Sequence, residues 1–126
     1  MKIEHFALQV PDPVSMARWY VEHLGMKIIR QQHEPPYMTF LSDSTGSIMI
    51  EIYNNPQADV PDYENQNTLI VHLAFVTENP KADKIRLQKA GAREDSDDIT
   101  EAGDHLVMMR DPWGIPIQLC KRAKPW

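Results

Sequence analysis

The chain has little of several features that define common protein classes. Its one cysteine, Cys120, cannot form an internal disulfide. It has no run of basic residues and a formal net charge of −5, which argues against binding to nucleic acid or anionic membranes. No apolar stretch approaches the length of a membrane span, and the start MKIEH lacks the apolar run of a signal peptide. Together these absences predict a cytoplasmic protein.

The composition is otherwise that of an ordinary globular protein. The 126 residues contain 42% hydrophobic and 25% charged residues, which fits a single domain over residues 1–126 with a hydrophobic core of its own. A disulfide or a metal is therefore not needed to hold the fold together.

An internal repeat organises the chain. Residues 3–10 (IEHFALQV) and 70–76 (IVHLAFV) are both apolar and alternating, and both have a histidine in third place. His5 and His72 are 67 residues apart, as are Glu51 and Gln118 in the later strands 47–53 and 115–121. Each of these later strands follows a turn sequence, DSTG or DPWG. The spacing predicts two modules of the same construction, residues 1–53 and 69–122.

Helix signals follow the first strand of each module. Asp12-Pro13 and Asn79-Pro80 provide an N-cap followed by proline at the first helical position. Gly25 and Gly91 then supply the left-handed residue with which helices commonly end. With further strands at 26–32, 37–41, 92–95 and 105–110, each module is predicted to be βαβββ, which gives an α+β fold. The polar segment 54–68 is predicted to link the modules as a lid over a site or as a hinge for exchanging modules between chains.

Strand alternation predicts which side chains lie on the face opposite the helices. Phe6, Ile48 and their alternate neighbours are expected to pack on the helix. The remaining positions place four polar residues on the opposite face: His5, Glu51, His72 and Gln118. A single strand histidine or glutamate is usually solvated or hydrogen-bonded, but a set at repeat-equivalent positions indicates a site. Two imidazoles, a carboxylate and an amide oxygen predict one divalent metal ion, namely Zn, Ni, Co, Mn or Fe.

The sequence resembles the vicinal oxygen chelate superfamily, which includes glyoxalase I, methylmalonyl-CoA epimerase, extradiol dioxygenases, and fosfomycin- and bleomycin-resistance proteins. The motifs that show the resemblance are IEHFALQV, HLGMKI, IMIEIYN, IVHLAFV and RDPWGIPIQL. Their pattern is closest to the glyoxalase I-like lyases. The resemblance implies paired βαβββ modules that form a curved, incomplete mixed β-barrel with the helices outside. It also implies a metal at the four positions named above, a small-molecule substrate and a homodimer.

One position departs from the glyoxalase pattern. Bacterial glyoxalase I has a glutamate where this chain has Gln118, and an amide cannot accept a proton. In the isomerase members of the family, the metal holds two adjacent substrate oxygens and stabilises the enediolate or enolate formed by proton loss. The resemblance therefore implies that Glu51 is both a metal ligand and the catalytic base.

Other residues are expected to line the substrate site. Gln9 replaces the glyoxalase arginine of the first strand, and Asn55 aligns near a glyoxalase asparagine that contacts substrate. Tyr53 shares the face of Glu51, while Tyr37 and His105 are repeat-equivalent, 68 residues apart. Residues 95–105 (DSDDITEAGDH) are predicted to be a solvated acidic loop.

Two other functions remain open. A non-catalytic drug-binding protein of the bleomycin-resistance type would use the same fold without a metal. An Fe(II) dioxygenase would use two histidines and one carboxylate, but the related dioxygenases take that carboxylate from the position of Gln118.

Overall fold

A computed structural model describes all residues 1–126 and divides the chain into two compact units, Met1–Pro61 and Asp62–Trp126. Each unit contains one helix and one four-stranded mixed sheet, which confirms the predicted α+β fold of two βαβββ modules. Neither sheet is closed. No helix combines the length and the apolar character that a bilayer crossing needs.

Unit 1 contains the first five elements, and its strands are ordered β1-β4-β3-β2. β1 pairs parallel with β4, while β3 pairs antiparallel with both β4 and β2. The elements are β1 (Phe6–Gln9), α1 (Pro13–Leu24), β2 (Lys27–Gln31), β3 (Thr39–Ser42) and β4 (Met49–Tyr53).

Unit 2 repeats this topology with the strand order β5-β8-β7-β6. β5 pairs parallel with β8, and β7 pairs antiparallel with β8 and β6. The elements are β5 (Leu73–Val76), α2 (Pro80–Lys89), β6 (Arg93–Ile99), β7 (His105–Arg110) and β8 (Pro116–Lys121).

The helix ends follow the predicted local chemistry. The side chains of Asp12 and Asn79 accept hydrogen bonds from backbone N–H groups in the first turns of α1 and α2. Gly25 ends α1 with a left-handed φ of 68°. At α2 the residue after the helix is Ala90, with φ −90°, and Gly91 follows with φ 99°. Gly91 therefore still supplies the left-handed residue, one position further along.

The predicted linker 54–68 folds onto both units in turn. Gln9 on β1 donates to the carbonyl oxygens of Asn55 and Ala58, both at 2.7 Å. Arg110 at the end of β7 donates to the carbonyl oxygens of Tyr63 (2.6 Å) and Gln66 (2.9 Å). The division between the units falls within this segment, after Pro61. Its predicted role as a lid or hinge stays a prediction.

The acidic segment 95–105 was predicted to be a loop, but its first part is a strand, because β6 extends through Ile99. The residues of β6 pair with β7 in an antiparallel ladder, and neighbouring cations offset their charge. Lys84 of α2 lies 3.0 Å from Glu94 and also contacts Asp97 at 2.5 Å. These ladder bonds and ion pairs stabilise a strand that has almost no apolar residues.

Two apolar residues expected to pack on α1 are exposed instead. Phe6 is 51% exposed and Ile48 is 65% exposed. Phe6 is the first residue of β1, and Ile48 precedes β4, so both lie at the edge of the covered area. Their alternate neighbours Leu8, Ile50 and Ile52 are buried, as predicted.

Candidate metal centre

The first two predicted ligands lie together in unit 1. His5 directly precedes β1, and Glu51 is at the centre of β4. The Nε2 atom of His5 lies 3.2 Å from Oε2 of Glu51. Glu51 is only 9% exposed, although carboxylates are rarely buried without a partner. The sheet register places Ala7 beside Glu51, which brings the chain just before β1 close to this carboxylate.

The spacing of this pair fits two ligands of one ion. Metal–nitrogen and metal–oxygen bonds of about 2.1 Å place neighbouring ligand atoms roughly 3.0–3.4 Å apart in octahedral to tetrahedral geometry. The 3.2 Å between His5 Nε2 and Glu51 Oε2 falls within this range. A neutral imidazole nitrogen and a carboxylate oxygen are both electron donors, so a proton on Nε2 or a metal ion between the two atoms would make this contact favourable.

Glu4 orients the ring of His5 from the other side. Its Oε2 contacts Nδ1 of His5, and a carboxylate can only accept at that contact. Nδ1 therefore bears the hydrogen, and Nε2 is the atom turned towards Glu51. The hydrogen bond to Glu4 is the main reason that the pKa of His5 is raised. Desolvation opposes this shift, and the charges of Glu4 and then of Glu51 add to it.

The two unit 2 candidates have separate partners. His72 is exposed and directly precedes β5, at the position equivalent to His5. Its Nδ1 lies 3.1 Å from the carbonyl oxygen of Thr68, so Nδ1 donates and Nε2 is left as the ligand atom. Gln118 is half-buried on β8, beside Ala74 of β5. Its Oε1 accepts from Sγ of Cys120 at 3.0 Å.

Burial raises the pKa of the Cys120 thiol, which keeps it protonated as a donor to Gln118.

The structure contains no group of three or more His, Cys, Asp and Glu side chains placed to hold a metal ion. Each unit thus provides a pair of candidate ligands, and the complete set of four stays a prediction.

Four predicted substrate-lining residues belong to unit 1, and three of them, Gln9, Tyr53 and Asn55, lie close to the end of β4. Gln9 and Tyr53 are cross-strand partners, and alternation places both on the face of Glu51. The amide of Gln9 is occupied, however, because it donates to two carbonyls and its Oε1 accepts from the N–H of Asn55 at 2.9 Å. The Oδ1 of Asn55 accepts from the N–H of Gln57. Gln9 and Asn55 therefore shape the loop after β4.

The repeat-equivalent residues Tyr37 and His105 have different surroundings. Tyr37 is half-buried before β3 and has a left-handed φ of 58°. His105 begins β7, with Nε2 2.7 Å from Oδ1 of Asp97. His105 shares its face with the fully buried Val107, opposite the face of Met108 and Gln118. His105 thus lies on the side of the sheet covered by α2.

Sequence reasoning missed a row of side chains that crosses the unit 1 sheet. Glu51 pairs with Phe40 on β3, and Phe40 pairs with Arg30 on β2. Cross-strand partners share a face, so all three lie opposite α1. Phe40 also contacts the ring of His5 edge-on, with centroids 5.3 Å apart. A bulge between Ile28 and Arg30 sets this register, and no sequence signal marked it.

Comparisons with known proteins agree with this architecture. Residues 2–119 match the family model of the Glyoxalase/Bleomycin resistance protein/Dioxygenase superfamily. The chain is 26% identical over 74 residues to biphenyl-2,3-diol 1,2-dioxygenase 3 of Rhodococcus globerulus. That match covers 59% of this chain and 37% of the dioxygenase, so the chain spans well under half the length of this curated relative.

Two solved structures are similar over nearly the whole chain. A glyoxalase family protein from Enterococcus faecalis is 26% identical with a TM-score of 0.69, covering 95% of this chain and 97% of that one. TnmS3, an antibiotic binding protein from Streptomyces sp. CB03234, is 22% identical with a TM-score of 0.72. The match covers 98% of this chain and 99% of TnmS3. The second likeness concerns the fold alone. With a family match over almost its full length, the chain belongs to the glyoxalase/bleomycin resistance protein/dioxygenase superfamily, also known as the vicinal oxygen chelate superfamily.

Proposed function

We propose that this protein is a metal-dependent lyase or isomerase of the glyoxalase type, acting on a small molecule with two adjacent oxygens. One divalent ion (Zn, Ni, Co, Mn or Fe) would be held by His5, Glu51, His72 and Gln118. The observation that supports the proposal best is the 3.2 Å separation of His5 Nε2 and Glu51 Oε2, which suits adjacent ligands of one ion.

Glu51 is the proton-transferring group of this proposal. A divalent ion bound there supplies Lewis acidity at the two substrate oxygens. The carboxylate of Glu51 accepts a proton from the adjacent carbon and returns it to the product. Gln118 occupies the equivalent place in unit 2 but has no basic oxygen, so it serves as a neutral ligand. The Cys120 thiol donates to Gln118 Oε1 and holds the amide in one orientation.

Metal content of the purified protein tests the proposal. We expect one bound ion per chain, measured by elemental analysis and by titration of the metal-free protein. His5→Gln and Glu51→Gln should each weaken binding by about tenfold or more. His105→Gln is the matched control, because His105 lies on the α2 side of its sheet, and it should leave affinity unchanged. A wild-type protein that takes up no metal would refute the proposal, as would a Glu51→Gln variant with full metal and full activity.

A homodimer is part of the same proposal. β1 and β5 are each the edge strand of their own sheet, and they expose Phe6 (51%) and Val76 (87%). Apolar side chains on an unpaired edge favour association that covers them. Light scattering after size exclusion should give twice the chain mass of 14.5 kDa. A monomer at all concentrations would contradict the dimer and leave the metal site unaffected.

The second candidate function is non-catalytic binding of a small molecule. The family match supports it, because the family includes bleomycin resistance proteins. The metal titration separates the two, because a binder of this kind takes up no ion. The third candidate is an Fe(II) dioxygenase, for which the Rhodococcus relative is the support. Bound iron together with oxygen consumption on catechols would favour that function.

A further inference from the structure

Arg30 lies in a small cavity on the face of the unit 1 sheet that bears Glu51. The cavity has a volume of about 180 Å³ and is lined by Glu4, Ile29, Arg30, Phe40 and Met49. The register places Arg30 two strands from Glu51, with Phe40 between them. Since neighbouring strands are about 4.8 Å apart, the two backbones are roughly 10 Å apart. A small ligand that touches both side chains would lie over Phe40.

The guanidinium of Arg30 has no partner within the protein. Most other arginines are engaged: Arg93 with Glu64 at 2.6 Å, Arg122 with Asp104 at 2.8 Å, and Arg110 with three carbonyl groups. Arg30 has no such contact. Glu4 shares its cavity but contacts Nδ1 of His5 instead. The positive charge of Arg30 is therefore available to a ligand.

The repeat shows that this charge belongs to one unit alone. The equivalent row in unit 2 runs from Gln118 through Met108 to Ser96. Ser96 takes the place of Arg30, and it cannot form a charged contact. An anion-binding group is thus present only on the sheet that also carries His5 and Glu51.

We propose that Arg30 selects substrates with an anionic group, a carboxylate being the simplest, separated by a short apolar body from the two adjacent oxygens. The oxygens would be oriented at His5 and Glu51, the apolar body would pack on Phe40, and the carboxylate would accept from the Arg30 guanidinium, a fork-shaped donor suited to it. This inference rests on the proposed function, because the metal pair defines the other end of the ligand.

Two matched ligands test the proposal. Both 3-(3,4-dihydroxyphenyl)propanoate and 4-propylcatechol have adjacent oxygens on a ring, but only the first has a carboxylate. Binding is measured by calorimetry on the metal-loaded wild type, on Arg30→Gln and on Arg18→Gln. Arg18 is the control because it lines a separate cavity beside α1. The metal content of every sample is measured alongside.

The wild type should bind the carboxylate ligand about tenfold or more tightly than the neutral one. Arg30→Gln should abolish most of that preference, with metal content and 4-propylcatechol affinity within about twofold of wild type, while Arg18→Gln should keep the preference. Equal weakening of both ligands in Arg30→Gln, or no change in either, overturns the role of Arg30. Bound metal without this preference refutes only the present inference. A preference that depends on Arg30 in a protein that takes up no metal supports anion selection by Arg30, but it refutes the proposed function and with it the placing of the two oxygens at a metal.

Discussion

Replacing Gly114 with alanine tests how the turn before β8 is built. Gly114 has φ 85°, a left-handed conformation that costs a residue with a Cβ about 1–2 kcal/mol. A Cβ at this position would also lie 2.9 Å from the backbone nitrogen of Glu64 and 3.0 Å from its Cα. Both contacts are too short for the backbone of Glu64 to stay in place. Overpacking of this kind costs a further 1–3 kcal/mol or so.

The structure offers two controls for this variant. Gly46 is the equivalent of Gly114 in the unit 1 turn, with φ 76° and open space to at least 4 Å around the place that a Cβ would take. Gly103 lies in unit 2 itself, with φ 87° and only an ordinary contact to Ala123 at 3.4 Å. Alanine at Gly46 or Gly103 should lower the free energy of unfolding by the conformational cost alone, about 1–2 kcal/mol. Alanine at Gly114 should lower it by about 2–5 kcal/mol.

Urea unfolding measures these differences. Tryptophan fluorescence reports on both units, because Trp19 lies in unit 1 and Trp113 and Trp126 lie in unit 2. Circular dichroism follows the secondary structure of both units. Separate transitions for the two units are analysed separately, because a single two-state fit would not then apply. If Gly114→Ala is no more destabilising than Gly103→Ala, the close approach of Glu64 does not constrain this turn and the reasoning is refuted.

Two further predictions concern aspartates that accept backbone hydrogen bonds. Asp111 is fully buried and accepts from the N–H groups of Trp113 and Ile115, both at 2.9 Å. Asp111→Ala should therefore lower the free energy of unfolding by about 2–5 kcal/mol, and Asp111→Asn by less, as urea titration would show. Asp12→Ala should cost about 1 kcal/mol by removing the N-cap of α1. Hydrogen bonds from Ser15 lower the pKa of Asp12, so its contribution is present above about pH 4 and lost as the pH falls further. Asp12→Asn should consequently show a flatter loss of stability in acid than wild type.

Local signals in the sequence predicted the elements whose ends are set by short-range chemistry. Asp12-Pro13 and Asn79-Pro80 marked both helix starts, because an Asx side chain and a proline satisfy the first turn without tertiary contacts. The repeat then predicted the topology, since two copies of one pattern are built alike. The burial of Ile50 and Ile52 on β4 followed from simple alternation.

Features set by tertiary pairing could not be predicted in this way. β6 has almost no apolar residues, and its ladder with β7 and the contacts of Lys84 hold it in place. The position of Arg30 depends on a bulge in β2, which shifts the register by one residue and so decides the face on which a side chain lies. Glu4 was missed because alternation over the predicted strand 3–10 puts it on the face of Phe6, whereas β1 begins only at Phe6 and Glu4 precedes it.

The two units retain one topology but differ in the chemistry of their exposed sheet faces. In unit 1 the central row combines a carboxylate, an aromatic ring and a guanidinium; in unit 2 the same places hold an amide, a thioether and a hydroxyl. A duplicated module that kept equal ligands in both halves would give a symmetric site with two competing bases. Of these two rows, only the one in unit 1 has a carboxylate that can take a proton, Glu51, and a cation that can bind an anion, Arg30. If the proposed function holds, unit 2 therefore contributes neutral ligation through His72 and Gln118, and the direction in which a substrate binds is set by unit 1.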